Sequence, residues 1–322
     1  DGIRDLVRSR GLGDVYKRQV LYRAGRFRDA VHEAALGQRW VYTAGAVILF
    51  KLAGDSIRPL ALNLYKTALT VAILFPILLL LGIPLLPEAI AIRDALAVAA
   101  SGILGIAAAD TLFFACLNRL GAGTTAIVDA LYVPFVMAAS WLALGEEPRP
   151  EQIGGAVLVI AAILVVAYRR NGDERPTRRV VAGFLFGVAA MALMAASIVL
   201  MRPVLSKAHV FWVTEVRMLA ALLVLLAMFA LQKERRRLLA PLWLPGGRVY
   251  AFLGAMLGNL ISMTLWIAAF KFTTVNSAAI LNQTNTILVV VLAAIFLKDR
   301  FTLRRLAATL LAVAGSVLIL LG

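Results

Sequence analysis

The chain has 322 residues, of which 61% are hydrophobic and 16% charged, with a formal net charge of +15. That composition excludes a soluble globular domain: apolar runs of about 20 residues, each able to cross a hydrocarbon core of roughly 30 Å, recur along the sequence. The single Cys116 excludes an internal disulfide, and His32 and His209 are too isolated to suggest a metal site, so no cofactor is expected.

In chain order, residues 1–19 (DGIRDLVRSRGLGDVYKRQ) lack apolar periodicity and resemble translated sequencing-adapter read-through; the other reading is a disordered basic tail. A short N-terminal segment, 20–32, follows. Ten transmembrane helices are then expected: 33–52, 59–82, 94–118, 123–144 and 151–168, then 181–201, 209–231, 249–270, 275–297 and 303–321. The first is the weakest, since Gly37, Gln38 and Arg39 leave only Trp40 to Leu52 as a clean apolar run. A basic linker at 169–180, with Pro176, Gly172 and five arginines, divides the chain into repeats at 33–168 and 181–322.

The two halves repeat one another. A shift of 153 positions lays residues 104–161 on 257–314 without a gap, setting Leu104-Gly105 on Leu257-Gly258 and Thr111-Leu112 on Thr264-Leu265. Upstream, a shift of 151 sets Lys51 on Arg202 and Lys66 on Arg217. Five helices per repeat is an odd number, so the two copies must lie upside down relative to each other. Loops after the odd-numbered helices hold sixteen Lys/Arg and those after the even-numbered ones five. The positive-inside rule therefore expects the odd loops in the cytoplasm and both termini outside, although the basic segment at the start pulls the other way. Loop placement also accounts for most of the positive charge, and no nucleic-acid partner is expected.

Residues 123–166 combine a helix with a central proline (Pro134), a turn opening with Gly145-Glu146 and a Gly-rich final helix (Gly154, Gly155). Residues 274–321 repeat the pattern with Lys298-Asp299 at the turn and no counterpart of Pro134. Together with Ala44 to Lys51 and Pro59 to Lys66, these stretches resemble the EamA domain of the drug/metabolite transporter superfamily, over about residues 33–322. The resemblance implies an all-α polytopic membrane protein of two inverted five-helix repeats. It also implies a secondary transporter of small metabolites or drugs, often an exporter, with a cavity between its halves. The expected setting is the bacterial inner membrane, and the expected substrate an amino acid-like or amphipathic metabolite. A monomer and a homodimer both fit. Family members usually keep both termini in the cytoplasm, the reverse of what the loop charges favour here.

Ionisable groups inside a bilayer are costly and mark candidate sites. Lys66 and Arg217 occupy equivalent repeat positions about 10–12 Å into their helices at 1.5 Å per residue. Asn63 and Thr214 lie one turn before them on the same faces. Such cations could bind an anionic or zwitterionic substrate, or form structural ion pairs with Glu215 or Asp110. Asp110 and Asp129 are the candidate acids for proton coupling, because a desolvated carboxylate can exchange a proton for a substrate. Asp129 comes first, since its repeat mate is the uncharged Asn282 and Tyr132 is one turn away. The second repeat adds a polar run, Asn282 to Thr286 with Asn285 inside it, and the stripe Asn259, Ser262, Trp266. Lipid cannot solvate these groups, so they must face protein or water. The expected cavity is thus lined by Asn63, Lys66, Asp110, Asp129, Tyr132, Arg217, Trp266, Asn282 and Asn285. Gly254 and Gly258 read as a helix-packing motif, and Glu146 and Asp299 as helix caps at turns.

No G-x-x-x-x-G-K-[ST] loop supports ATP-driven transport, and no G-x-S-x-G or H-E-x-x-H motif supports an intramembrane enzyme. A pure scaffold would leave the polar lining unexplained. The chain is therefore expected to carry a small molecule without transforming it.

Overall fold

The structure is a computed structural model and describes residues 39–321 apart from 86, 89, 146, 168–176, 244, 273–274 and 298–301. Side chains at 39–41, 144, 177, 236, 243, 245–246, 269–272, 275–284 and 320 are likewise outside the description. The segments expected at 1–19 and 20–32, most of the basic linker, Glu146 and Asp299 therefore lie outside the described residues.

Among the described residues there are ten long helical rods and no strand. They are α1 (Arg39–Gly54), α2 (Pro59–Leu80), α3 (Ile92–Leu120), α4 (122–144), α5 (Pro150–Ala167), α6 (Thr177–Leu205), α7 (Val210–Ala230), α8 (245–272), α9 (Val275–Phe296) and α10 (Leu303–Leu321). A short helix, Arg235–Leu239, and a single tight turn, Ala240–Trp243, lie between α7 and α8. α6 starts four residues before the apolar run expected at 181, with Arg178 and Arg179 in its first turn. Seven rods are long and apolar enough to cross a bilayer, among them α2 to α7.

Local chemistry explains the ends. Pro59 opens α2, where a missing N–H costs nothing. Gly121 turns α3 into α4 at φ 83°, and Gly145 ends α4 in the left-handed region at φ 71°, both positions that resist side chains with a Cβ.

Three rods are not uniform. α3 contains a wide π turn over Ile103–Ala109, and α8 contains one over Ala255–Ser262, at matching places in the two repeats. α4 breaks after Ala122–Asp129 and restarts at Tyr132. Pro134 has no N–H for the Ala130 carbonyl, which instead accepts from Val133 at 3.3 Å. α9, with Ile287 at the mate of Pro134, runs unbroken.

The repeats are folded into one another instead of standing as separate lobes. α1 packs on α8 and α9 just as its mate α6 packs on α3 and α4, α2 packs on α7, and α5 packs on α10. Small residues permit these crossings. A Cβ on Gly258 would meet Ala46 Cβ at 2.7 Å, and one on its mate Gly105 would strike Ser197, the mate of Ala46. Gly254 abuts the Phe50 ring, so this pair of glycines serves helix packing as its spacing suggested. At the α5–α10 crossing a Cβ on Gly315 would lie 2.6 Å from the Gly155 carbonyl oxygen. Outside, large apolar residues such as Leu80, Leu164, Leu185, Leu223 and Ile295 are exposed, the surface a hydrocarbon solvent wets.

Candidate functional site

The centre of the bundle is organised by one buried lysine. Lys66, on α2, leaves only 3% of its side chain exposed. Its ammonium donates to the Asp110 carboxylate at 2.6 Å and to Asn259 Oδ1 at 2.8 Å, and lies 5.6 Å from the Phe114 ring centroid. Asp110 opens the α-helical part of α3 just after its π turn, and Asn259 sits inside the π turn of α8. Asn259 also donates to Thr70 Oγ1 at 2.8 Å, so the cluster ties the two repeats together. Of the pairings open to Lys66, the structure makes the one with Asp110; the carboxylate of the buried Glu215 has no hydrogen-bond partner among the described residues.

Beside this pair lies a cavity of about 190 Å³. Its walls come from both repeats: Thr43, Ala46, Val47 and Phe50 of α1; Lys66; Asp110, Phe113 and Phe114 of α3; Asp129 and Tyr132 of α4; Met191 and Met194 of α6; Gly258, Asn259, Ser262, Met263 and Trp266 of α8; and Asn285 of α9. Several are repeat mates facing one another, namely Phe113 and Trp266, Tyr132 and Asn285, and Asp110 and Met263. The cavity therefore straddles the pseudo-symmetry axis relating the halves. The Tyr132 and Trp266 rings form one wall, with centroids 6.4 Å apart. Thr43 and Ser262 hydrogen-bond across α1 and α8. Asp129 reaches the cavity from the break in α4, at the carboxyl end of a half-helix.

The family model for EamA-like transporters matches residues 40–168 and 181–321, one match to each repeat. The chain belongs to the EamA-like transporter family. It is an integral, multi-pass membrane protein of the drug/metabolite transporter type. A solved crystal structure with 16% sequence identity superposes with a TM-score of 0.62, covering 87% of this chain and 96% of that one. At that identity the likeness shows the fold alone. No curated protein matches the chain.

Within this EamA-like frame, the structure brings Lys66, Asp110, Asp129, Tyr132, Trp266 and Asn285 to one cavity. Two expected lining residues are elsewhere. Asn63 is fully buried and donates to the Ile106 carbonyl at 2.7 Å and to Thr111 Oγ1 at 2.8 Å, bracing the π turn of α3. Arg217 is fully buried as well, donating to Ser197 Oγ at 3.0 Å and pointing a second nitrogen at Met201. Its repeat lacks the acid that holds Lys66, because Met263 stands where Asp110 stands in the first repeat. With no carboxylate at hydrogen-bond distance among the described residues, the guanidinium donates to α6 and feels the Asp110 charge only from further off. Thr214 bonds back to the Val210 carbonyl at 2.9 Å and shares no site with it. The side chain of Asn282 lies outside the described residues.

Sequence reasoning missed Thr43, Phe50, Phe113, Phe114, Met191 and Met194 as lining. Phe113 carried a signal, as the mate of Trp266; the methionines carried none, since apolar side chains read alike whether they face lumen or lipid.

Proposed function

We propose that this EamA-like protein is a secondary active transporter that exports small metabolites or drugs across the bacterial inner membrane by alternating access, without enzymatic chemistry. The observation that supports this reading is the cavity between the repeats, walled by ionisable and aromatic side chains on helices of bilayer length. A bilayer excludes such groups unless they serve a pathway. All ten rods cross the membrane on this reading, in two inverted sets of five, with the odd loops cytoplasmic and both termini outside. Cysteine labelling at 169–179 tests the orientation: labelling only after the cell is opened supports it, and labelling from outside the intact cell overturns it.

Energy comes from the proton gradient through a carboxylate, with Asp129 first and Asp110 second. Asp110 is held by Lys66 at 2.6 Å, whereas no described residue bonds the Asp129 carboxylate. In proteoliposomes with an imposed proton gradient, the wild-type chain accumulates a substrate found by screening. Asp129→Asn keeps the shape and removes the titration, so it abolishes accumulation while downhill exchange persists at saturating substrate. Uphill transport by Asp129→Asn with unchanged pH dependence would favour a facilitator or exchanger of the same fold.

A further inference from the structure

We infer that the cavity takes a compact organic cation, an amine whose charge sits on Asp129 and whose apolar body lies among the rings and thioethers of the wall. The inference rests on reading the cavity as the transport site, and it names the substrate class of that site. Lys66 is the one basic residue among the described residues that line the cavity, and its charge is already committed to Asp110 and Asn259. The other buried cation, Arg217, is turned away toward Ser197. An anionic ligand would have to take Lys66 from Asp110 and leave that carboxylate unpaired in a poorly solvating interior, which is unfavourable.

Asp129 presents the opposite case. Its carboxylate lines the cavity with no hydrogen-bond or ion-pair partner among the described residues; Lys66 and Asp110 cancel, and Arg217 acts on Asp110 from outside the lining, which leaves Asp129, when ionised, as the uncompensated charge of the wall. The faces of Phe113, Phe114, Tyr132 and Trp266 attract positive charge through their ring quadrupoles, and Met191 and Met194 give a soft apolar floor. Charge balance and wall chemistry thus point to the same ligand.

The test uses the full chain in lipid nanodiscs and three probes that share one phenyl ring: 2-phenylethylamine, 3-phenylpropanoate and phenylalanine. The amine is expected to bind about tenfold or more tighter than the anion or the zwitterion. Asp129→Asn is expected to weaken the amine by about tenfold or more, and Asp129→Glu, which restores the charge, to recover most of the affinity. Equal or tighter binding of 3-phenylpropanoate or phenylalanine overturns the inference, as does an amine that fails to bind or is indifferent to Asp129→Asn. Should Asp129→Asn not fold, the ranking of the three probes on the wild-type chain still decides. Proteoliposome uptake separates the two readings. An amine bound at Asp129 but never carried removes the transport reading and leaves the cation site; a carried anion does the reverse.

Discussion

Lys66 and Arg217 hold the same position in the two repeats, both are buried, and their surroundings treat them in opposite ways. Lys66 meets an acid and an amide and becomes the hub between the halves. Arg217 meets a serine and a methionine and becomes packing for α6. Two differences between the repeats separate the outcomes: Asp110 in the first against Met263 in the second, and Asn259 in the second against Ile106 in the first. A duplicated unit keeps its helices and its close crossings, and diverges at the few positions that decide where a charge points.

Removing the lysine should have the largest effect. Lys66→Met leaves Asp110 inside the bundle without its cation, a loss of about 3–5 kcal/mol, measurable as unfolding in mixed micelles. Next is the contrast between α4 and α9. Ile287→Pro would put into α9 the break that Pro134 makes in α4, at a residue 41% exposed on the outer surface. The expected cost is about 3 kcal/mol. Pro134→Ala, which repairs α4, should leave stability unchanged or raised and slow proteoliposome uptake; undiminished uptake would show that the break is incidental. Where the repeats agree, they should respond alike: Gly105→Val and Gly258→Val each overpack a crossing and cost about 1–3 kcal/mol. Smallest is Arg217→Met, at about 1 kcal/mol or less, because a flexible apolar chain replaces a cation whose only hydrogen-bonded oxygen among the described residues is Ser197 Oγ. An Arg217→Met loss as large as that of Lys66→Met would erase the distinction between the two repeats.

The helices and the duplication were legible because both are written in hydropathy and spacing, which survive whatever the side chains touch. The ion pair was legible only as one of several options, since Glu215 and Asp110 were equally plausible partners on a linear sequence. The turning away of Arg217 was also present in the alignment of the halves, as the methionine opposite Asp110, but it becomes visible only once an acid is known to hold Lys66. Asn63 shares a helical face with Lys66, yet nothing in that face reveals that a wide turn on α3 would claim its amide. The aromatic and thioether walls were illegible for a plainer reason: in a membrane protein, being apolar no longer distinguishes inside from outside.

The matched π turns in α3 and α8 alter how such a chain should be counted. A helical wheel advances 100° per residue, from 3.6 residues per turn, and a π turn absorbs one surplus residue without breaking the rod. A wheel drawn at one pitch across Ile92–Leu120 therefore misplaces everything beyond Ala109 by about one such step, including Asp110, Phe113 and Phe114. The same holds for Met263 and Trp266 beyond Ser262. Five of the lining residues are thus phased by the surplus residue instead of by the amphipathic pattern upstream. Deleting a single residue within 103–109 or 255–262 would let the rod close into an ordinary helix with both flanks still in phase, whereas the same deletion one turn later would swing the downstream side chains out of the lumen.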